Sequence, residues 1–326
     1  MSSSNLCTLY FTFFEEQEVT NFMQEDWDVI GQVMLQLAND YFQVKELKNY
    51  MSEFITFKMK GHFPFGQLVI FHYQMFNGQS KDIFHAAAAV EFMILSLDIF
   101  DDLQDQDNFS VPWANIDQAL VMNIATGLLM LSTRALEQTS FERNRKIMAN
   151  NYLNTCVLKA INGQHIDLMN LIESEEDYIQ MVREKSGSLM ASACLVGTAL
   201  ACDKHHDSVN NYAEHIGIIA QIKNDINDIC RWDEKNDLIN KRKTLLTLYL
   251  LKNQEPQYQF TRNYFSGKLM QGELIKDKVE IQELIEKSGA LEYAHIIMRL
   301  NQLQAIELID SMGIVQEWKE KLLHYF

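Results

Sequence analysis

The sequence predicts an all-α protein, and three observations carry that prediction. In 326 residues there are 3 prolines and 13 glycines, too few tight-turn residues for an all-β design. Apolar residues recur at three- and four-residue spacing from about residue 21 onward, which is the period of a helix with one buried face. No Pro/Gly/Ser-rich linker, low-complexity stretch or solenoid-length repeat divides the chain. Residues 1–326 therefore read as a single domain, a bundle of ten or more packed helices.

The clearest helical segments run Phe84 to Leu103, Ile116 to Leu136, Ile147 to Leu171, Tyr178 to Ala201 and Tyr212 to Ile229. Turn chemistry is dense between them, at Asn77 to Ser80, Asn108 to Pro112, Asp203 to Asp207 and Asp233 to Asn240. Helix starts are expected at Ser80, Ser140 and Ser174, the last with Asp177 three residues on. The longest uncharged run, Ser186 to Cys202, is rich in Ser, Gly, Ala and Cys. It falls short of the ~20 residues a bilayer span needs, so it predicts a buried, closely packed helix and no integral membrane span.

Lys and Arg number 28 against 44 Asp and Glu, a formal charge of −16. A chain this acidic is a poor partner for nucleic acid or an anionic membrane. The N-terminal MSSSNLCTLYFTFFEEQE has no basic region before its apolar run and makes a poor signal peptide. Five scattered cysteines, Cys7, Cys156, Cys194, Cys202 and Cys230, suggest reduced thiols and a cytoplasmic protein. Nine histidines form no zinc spacing.

The acids are not evenly spread. LDIFDDLQDQD holds Asp98, Asp101, Asp102, Asp105 and Asp107 directly after the apolar AAAAVEFMILSL. On a helix Asp101 shares a face with Asp105, and Asp98 with Asp102, where like charges repel. A second cluster lies in AQIKNDINDICRWDEKND, with Gln221, Asp225 and Asp228 on one face of an Ile-rich helix. Asp is a poor helix former, so its choice over Glu needs a reason. A cation is the natural one. Carboxylate oxygens suit Mg²⁺, which takes one or two of them and completes its shell with water and phosphate.

At these residues the chain resembles the trans-isoprenyl diphosphate synthases. DDLQD matches their DDxxD motif, and QIKNDIND is similar to their QIxDDxxD. Glu91 precedes Asp101 by ten residues as in that family. GQHIDL from Gly163 resembles GQxxDL, and YIQMVREKSGSL from Tyr178 resembles Y-x₆-K-T-x-x-L with Lys185 as the lysine. Asp237-Leu238 and Lys241 to Leu245 resemble DLxxGKxTLP. The resemblance covers about residues 58–250 and implies an isoprenoid-synthase helical fold with a central apolar cleft, working as a homodimer. It further implies that Asp101, Asp102, Asp105, Asp225 and Asp228 are catalytic ligands of Mg²⁺ on an allylic prenyl diphosphate. Asn224 stands where the family has Asp and is the weaker member of that set. Lys185 and Arg242 would contact diphosphate oxygens, with Gln221 and Gln164 as further substrate-binding residues. Lys235 and Arg231 would touch phosphate or balance neighbouring acids, the second being the favoured reading. Ser96 and Leu97 lie where the family's pocket floor limits prenyl length, and helix packing explains them equally well.

The departures are informative. The family holds its second substrate, isopentenyl diphosphate, through a basic GKRxRP motif and an Arg pair after DDxxD. Here Gly61 is followed by His62, Phe63 and Phe65 at the three basic places, and Gln106 to Trp113 contains no arginine. Two close polyanions without such cations repel. The pattern resembles the members of the family that transfer a geranyl or farnesyl group to the tryptophan of a precursor peptide in pheromone signalling. His62, Phe63, Phe65, Phe109 and Trp113 would then line an acceptor entrance for that tryptophan-containing peptide.

Three other readings compete. A class I terpene cyclase also keeps DDxxD, but its second motif places Ser/Thr and Glu where this chain has Asp228 and Trp232. A chain-elongating polyprenyl diphosphate synthase needs the missing basic site. An inactive partner subunit would have no use for repelling carboxylates.

Overall fold

The computed structural model describes residues 20–106, 108–202, 204–233 and 235–325. The N-terminal segment with Cys7, and Asp107 of the first acidic cluster, lie outside the described residues. Among the described residues there are fifteen α-helices and no strand. Their order is α1 Thr20–Tyr41, α2 Lys45–Met59, α3 Pro64–Met75, α4 Ile83–Asp105, α5 Gln118–Glu137, α6 Arg143–Leu168, α7 Glu175–Val182, α8 Ser188–Ala201 and α9 Asp207–Cys230. The shorter α10 Leu245–Lys252, α11 Gln259–Phe265, α12 Gln271–Lys276 and α13 Lys278–Lys287 follow, then α14 Ala290–Ser311 and α15 Gln316–Leu323.

The central helix is α4. Its four consecutive alanines and lack of breakers favour helix, and it is buried on all faces from Ala86 to Ser96. It packs mainly on α5 and α3, while α8 packs on α6, α3 and α9. By length and composition α4 and α5 pass for membrane spans, although 78% of the apolar window of α4 is buried inside the protein. For α4 that burial is the reading of a core helix. The uncharged run became α8, buried along almost its whole length as expected.

Several expected boundaries moved, each for a local reason. The Ser174 start holds: its hydroxyl accepts from Asp177 N–H and the Asp177 carboxylate accepts from Ser174 N–H, a reciprocal cap. At Ser80 the chain stays in a turn because the Tyr73 hydroxyl accepts its N–H, and α4 begins at Ile83. Ser140 gives its N–H to Asp82, and α6 begins at Arg143. That helix stops at Leu168, before Asn170, whose φ is +51°. Tyr178 to Ala201 is two helices joined by a π turn at Arg183–Gly187.

Two apolar cores result. The first joins α1 to α6, α8, the N-terminal half of α9, the C-terminal part of α14 and α15; the second joins α7, α10 to α13, the C-terminal half of α9 and the N-terminal part of α14. The acidic end of α4 belongs to the first core and the acidic end of α9 runs into the second, so the two clusters meet at their junction.

Candidate active site

The seam of α6 explains how a lysine reaches that junction. Its buried residues are Ala149, Leu153, Cys156, Ala160 and Gly163, small toward the C-terminus. The small end lets the π turn approach closely, and Lys185 is carried on that turn. π bulges recur at functional sites because they redirect a side chain within a helix.

Lys185 Nζ lies 2.7 Å from Asp167 Oδ2 and 3.5 Å from Asp101 Oδ1. Arg242 Nη2 lies 2.8 Å from Asp105 Oδ2, with Nη1 3.6 Å from Asp167 Oδ2. Two cations thus hold three carboxylates from α4 and α6. Asp102, in the same cavity wall, has other partners, accepting from Asn108 Nδ2 at 2.9 Å and from the Trp113 indole at 2.8 Å.

Across the site, Asp225 accepts from the Tyr178 hydroxyl at 2.6 Å and from Gln221 Nε2 at 2.9 Å. Ser186 donates to Gln221 Oε1, which fixes that amide. Asn224 Nδ2 donates to Asp228 Oδ2 at 3.1 Å. Asp237 is 5% exposed, and its Oδ2 is buried without a hydrogen-bond partner. These groups line one tight cavity of about 70 Å³ with Asp101, Asp102, Asp105 and Asp167.

Burial drives the titration here. It pushes Asp101 up to about 6 against the pull of Lys185, Asp102 up to about 8 and Asp225 up to about 7. Asp237 is pushed up strongly by burial and by Asp225 and Asp228. Asp167 is the exception: burial raises it, but Lys185 and Arg242 together hold it below the usual range. The same acids raise Lys185 and Arg242 despite their burial. The site is therefore short of positive charge.

Of the residues read from the sequence, Asp101, Asp102, Asp105, Lys185, Gln221, Asn224, Asp225, Asp228 and Arg242 line this cavity together. Gln164 sits beside it and donates to Gln104. Phe63 and Phe65 are fully buried in the first core, and the His62 ring lies 4.1 Å from that of Trp27. Trp113 is buried edge-on against Phe54 and Phe57. The Ser96 hydroxyl is committed to the Ala125 carbonyl. Arg231 does balance Asp228 and Asp233, but Lys235 is buried in the cavity wall. Asp167, Tyr178 and Asp237 gained site roles only from the structure, and Lys235 lies at the site in line with the less favoured of its two readings. Asp167 and Asp237 stand within the GQHIDL and DLIN segments, so an acid in each was visible, without its direction.

Beside the cavity lies an open cleft of about 750 Å³. It shares Asp105, Asp167 and Arg242 with the donor residues and continues past Phe109, Trp232, Ile239 and Ile275.

A model of the polyprenyl synthetase family matches residues 45–282. The chain belongs to that family. A tryptophan prenyltransferase ComQ of Bacillus spizizenii is 32% identical over 86% of this chain and 99% of its own length. The geranylgeranyl pyrophosphate synthetase of Pyrococcus horikoshii superposes with a TM-score of 0.78 at 17% identity, covering 93% of this chain and 96% of its own. The geranylgeranyl pyrophosphate synthase of Corynebacterium glutamicum, in complex with isoprenyl diphosphate and magnesium, also gives 0.78, at 16% identity over 93% and 97% of the two chains. Within this polyprenyl synthetase fold, no group of three or more His, Cys, Asp or Glu among the described residues is already arranged to hold an ion. Mg²⁺ needs none, since it takes one or two carboxylates plus substrate phosphate and water. The donor set fits it: hard oxygens, and a buried Asp237 oxygen with no hydrogen bond.

Proposed function

We propose that the chain is a Mg²⁺-dependent prenyltransferase that ionises geranyl or farnesyl diphosphate and transfers the prenyl group to a tryptophan of a precursor peptide, a pheromone modification in the cytoplasm. One observation carries the reading: the acids and cations for one diphosphate converge in a single buried cavity, while Phe63 and Phe65 at the basic places of a second diphosphate site are sealed in the core. The ComQ name of a relative at 32% identity supports the peptide acceptor.

Asp101, Asp105 and Asp225, with Asp102, Asp228 and Asn224, would hold the metal. The bound cation supplies charge that lets diphosphate leave. Lys185 and Arg242 already face these carboxylates and would turn to phosphate oxygens, stabilising the charge that grows as the carbon–oxygen bond breaks with its electron pair. The buried α4 would help keep water from the carbocation. An indole carbon then forms the new carbon–carbon bond, and one proton is lost. Exposed Leu120, Met122, Met130, Leu158 and Ile161 on α5 and α6 support a homodimer through that face, which sedimentation would reveal as twice the chain mass.

The test is incubation with Mg²⁺ and either allylic diphosphate, adding nothing, isopentenyl diphosphate or tryptophan-bearing peptides. A prenyl-sized mass gain on peptide alone is expected. A hydrocarbon product would make the chain a class I terpene cyclase, and a lengthened diphosphate a chain-elongating synthase.

A further inference from the structure

We infer that the acceptor peptide docks in the open cleft beside Arg242, its tryptophan on the apolar lining of Phe109, Trp232, Ile239 and Ile275. This rests on the peptide-transfer reading. Of the entrance expected from the sequence at His62, Phe63, Phe65, Phe109 and Trp113, it keeps Phe109 alone.

Apart from His62, which is exposed, that corner is closed by packing. Phe63 and Phe65 have no exposed surface. Behind them Lys58 Nζ, itself buried, is held 3.0 Å from Asp98 Oδ2 and 3.5 Å from Glu91 Oε2. Glu91 also accepts the Gly66 N–H at 2.6 Å. Trp113 closes the side, tied to Asp102 and packed on two phenylalanines. Opening this corner would break a buried ion triad and a well-packed core, each costly.

The cleft is open where that corner is shut. Its volume of about 750 Å³ lies within the range of roughly 300–1,000 Å³ that ligand sites occupy. Asp105, Asp167 and Arg242, joined by the Arg242–Asp105 and Arg242–Asp167 ion pairs, are shared by both walls and stand between it and the other donor acids. Phe109 is 67% exposed at the lip, an aromatic surface available to an indole. Gln106 and Gln271 bring carboxamides to the lining, each both donor and acceptor, as a peptide backbone requires. The described lining carries the acids Asp105, Asp167 and Asp233 and the bases Lys241, Arg242 and Lys278. Among the described residues of the lining, three acids against three bases leave no surplus of positive charge for a second diphosphate, which suits a peptide.

The experiment uses a peptide library with one central tryptophan and randomised flanks, with Mg²⁺ and farnesyl or geranyl diphosphate. The library member modified fastest then serves as substrate for Phe109→Ala and Ile275→Glu, both at exposed positions. Each should raise the peptide KM roughly tenfold, the scale of a truncated interface anchor. Binding of the unreactive thiolo-diphosphate analogue should stay unchanged. An unchanged peptide KM in both variants overturns the cleft while peptide transfer stands. If the unmodified enzyme prenylates no library member, peptide transfer fails, and the assigned occupant fails with it.

Discussion

Gly163 and Lys185 are in backbone contact: a Cβ at Gly163 would lie 2.3 Å from the Lys185 backbone nitrogen. No side chain fits there, and the nearest obstacle is backbone, which cannot rotate away. Gly163→Ala should therefore cost about 1–3 kcal/mol of stability and push Lys185 off Asp101 and Asp167. Chemical denaturation would show the first effect and a weaker affinity for inorganic diphosphate the second. A variant with unchanged stability and diphosphate affinity would show that the π turn is not held by this contact.

The pairing of Lys185 and Arg242 with Asp101, Asp105 and Asp167 compensates those three acids only in part, and a metal must compete with it. Asp101→Ala leaves Lys185 its shorter bond to Asp167, and Asp225→Ala removes a buried repelling acid. Both should melt within a few degrees of the parent in EDTA, yet lose activity by on the order of a hundredfold or more. Melting with and without Mg²⁺ and diphosphate separates the two effects: the ligand-induced rise should vanish. Normal turnover in either variant would refute the ligand assignment.

Asn224 and Asp237 divide a task. Asn224 spends its amide on Asp228, while Asp237 brings a buried carboxylate whose Oδ2 has no hydrogen bond. Asp237→Asn should weaken Mn²⁺ binding in the presence of inorganic diphosphate about tenfold, and Asn224→Asp should strengthen it. Electron paramagnetic resonance titration of free Mn²⁺ reads both directly. Equal titrations for parent and Asp237→Asn would leave that acid a purely structural role.

Away from the site, His72 is fully buried on α3. Its Nδ1 faces the Leu68 carbonyl, and Nε2 meets the Tyr212 hydroxyl. Burial lowers its pKa from 6.5 to about 4. The unfolded chain therefore binds the extra proton first, and stability present above pH 6.5 is lost as the pH falls toward 4, by roughly 3 kcal/mol. Urea titrations of His72→Gln should show a correspondingly flatter stability profile across that window. A profile parallel to the parent's would assign the acid sensitivity to other groups.

Much of the fold was legible because its signals are local. The alanine run and the three- and four-residue spacing specify α4 without reference to neighbours, and Ser174 with Asp177 caps α7 from four consecutive residues. The membership of the site was legible in part, since acids packed at helical spacing repel and invite a cation. Directions were not. Asp102 and Asp101 are adjacent in sequence, yet one faces Trp113 and the other Lys185, because successive helical residues point about 100° apart. Phe63 and Phe109 are both phenylalanines beside motif positions, but one is sealed in the core and the other exposed.

The sequence alone determined the helical class, the two acidic clusters and the missing basic residues, all of which depend on residue type and spacing along one chain. Only the tertiary structure decided that Asp167 unites Lys185 and Arg242, that Asp237 is buried among the acids, and that the acceptor corner is closed while a cleft stands open beside Arg242. Those outcomes depend on how closely α6, α9 and the loop before α10 approach. That approach is set by packing between residues far apart in the chain, such as Gly163 against Lys185, and no local pattern encodes it.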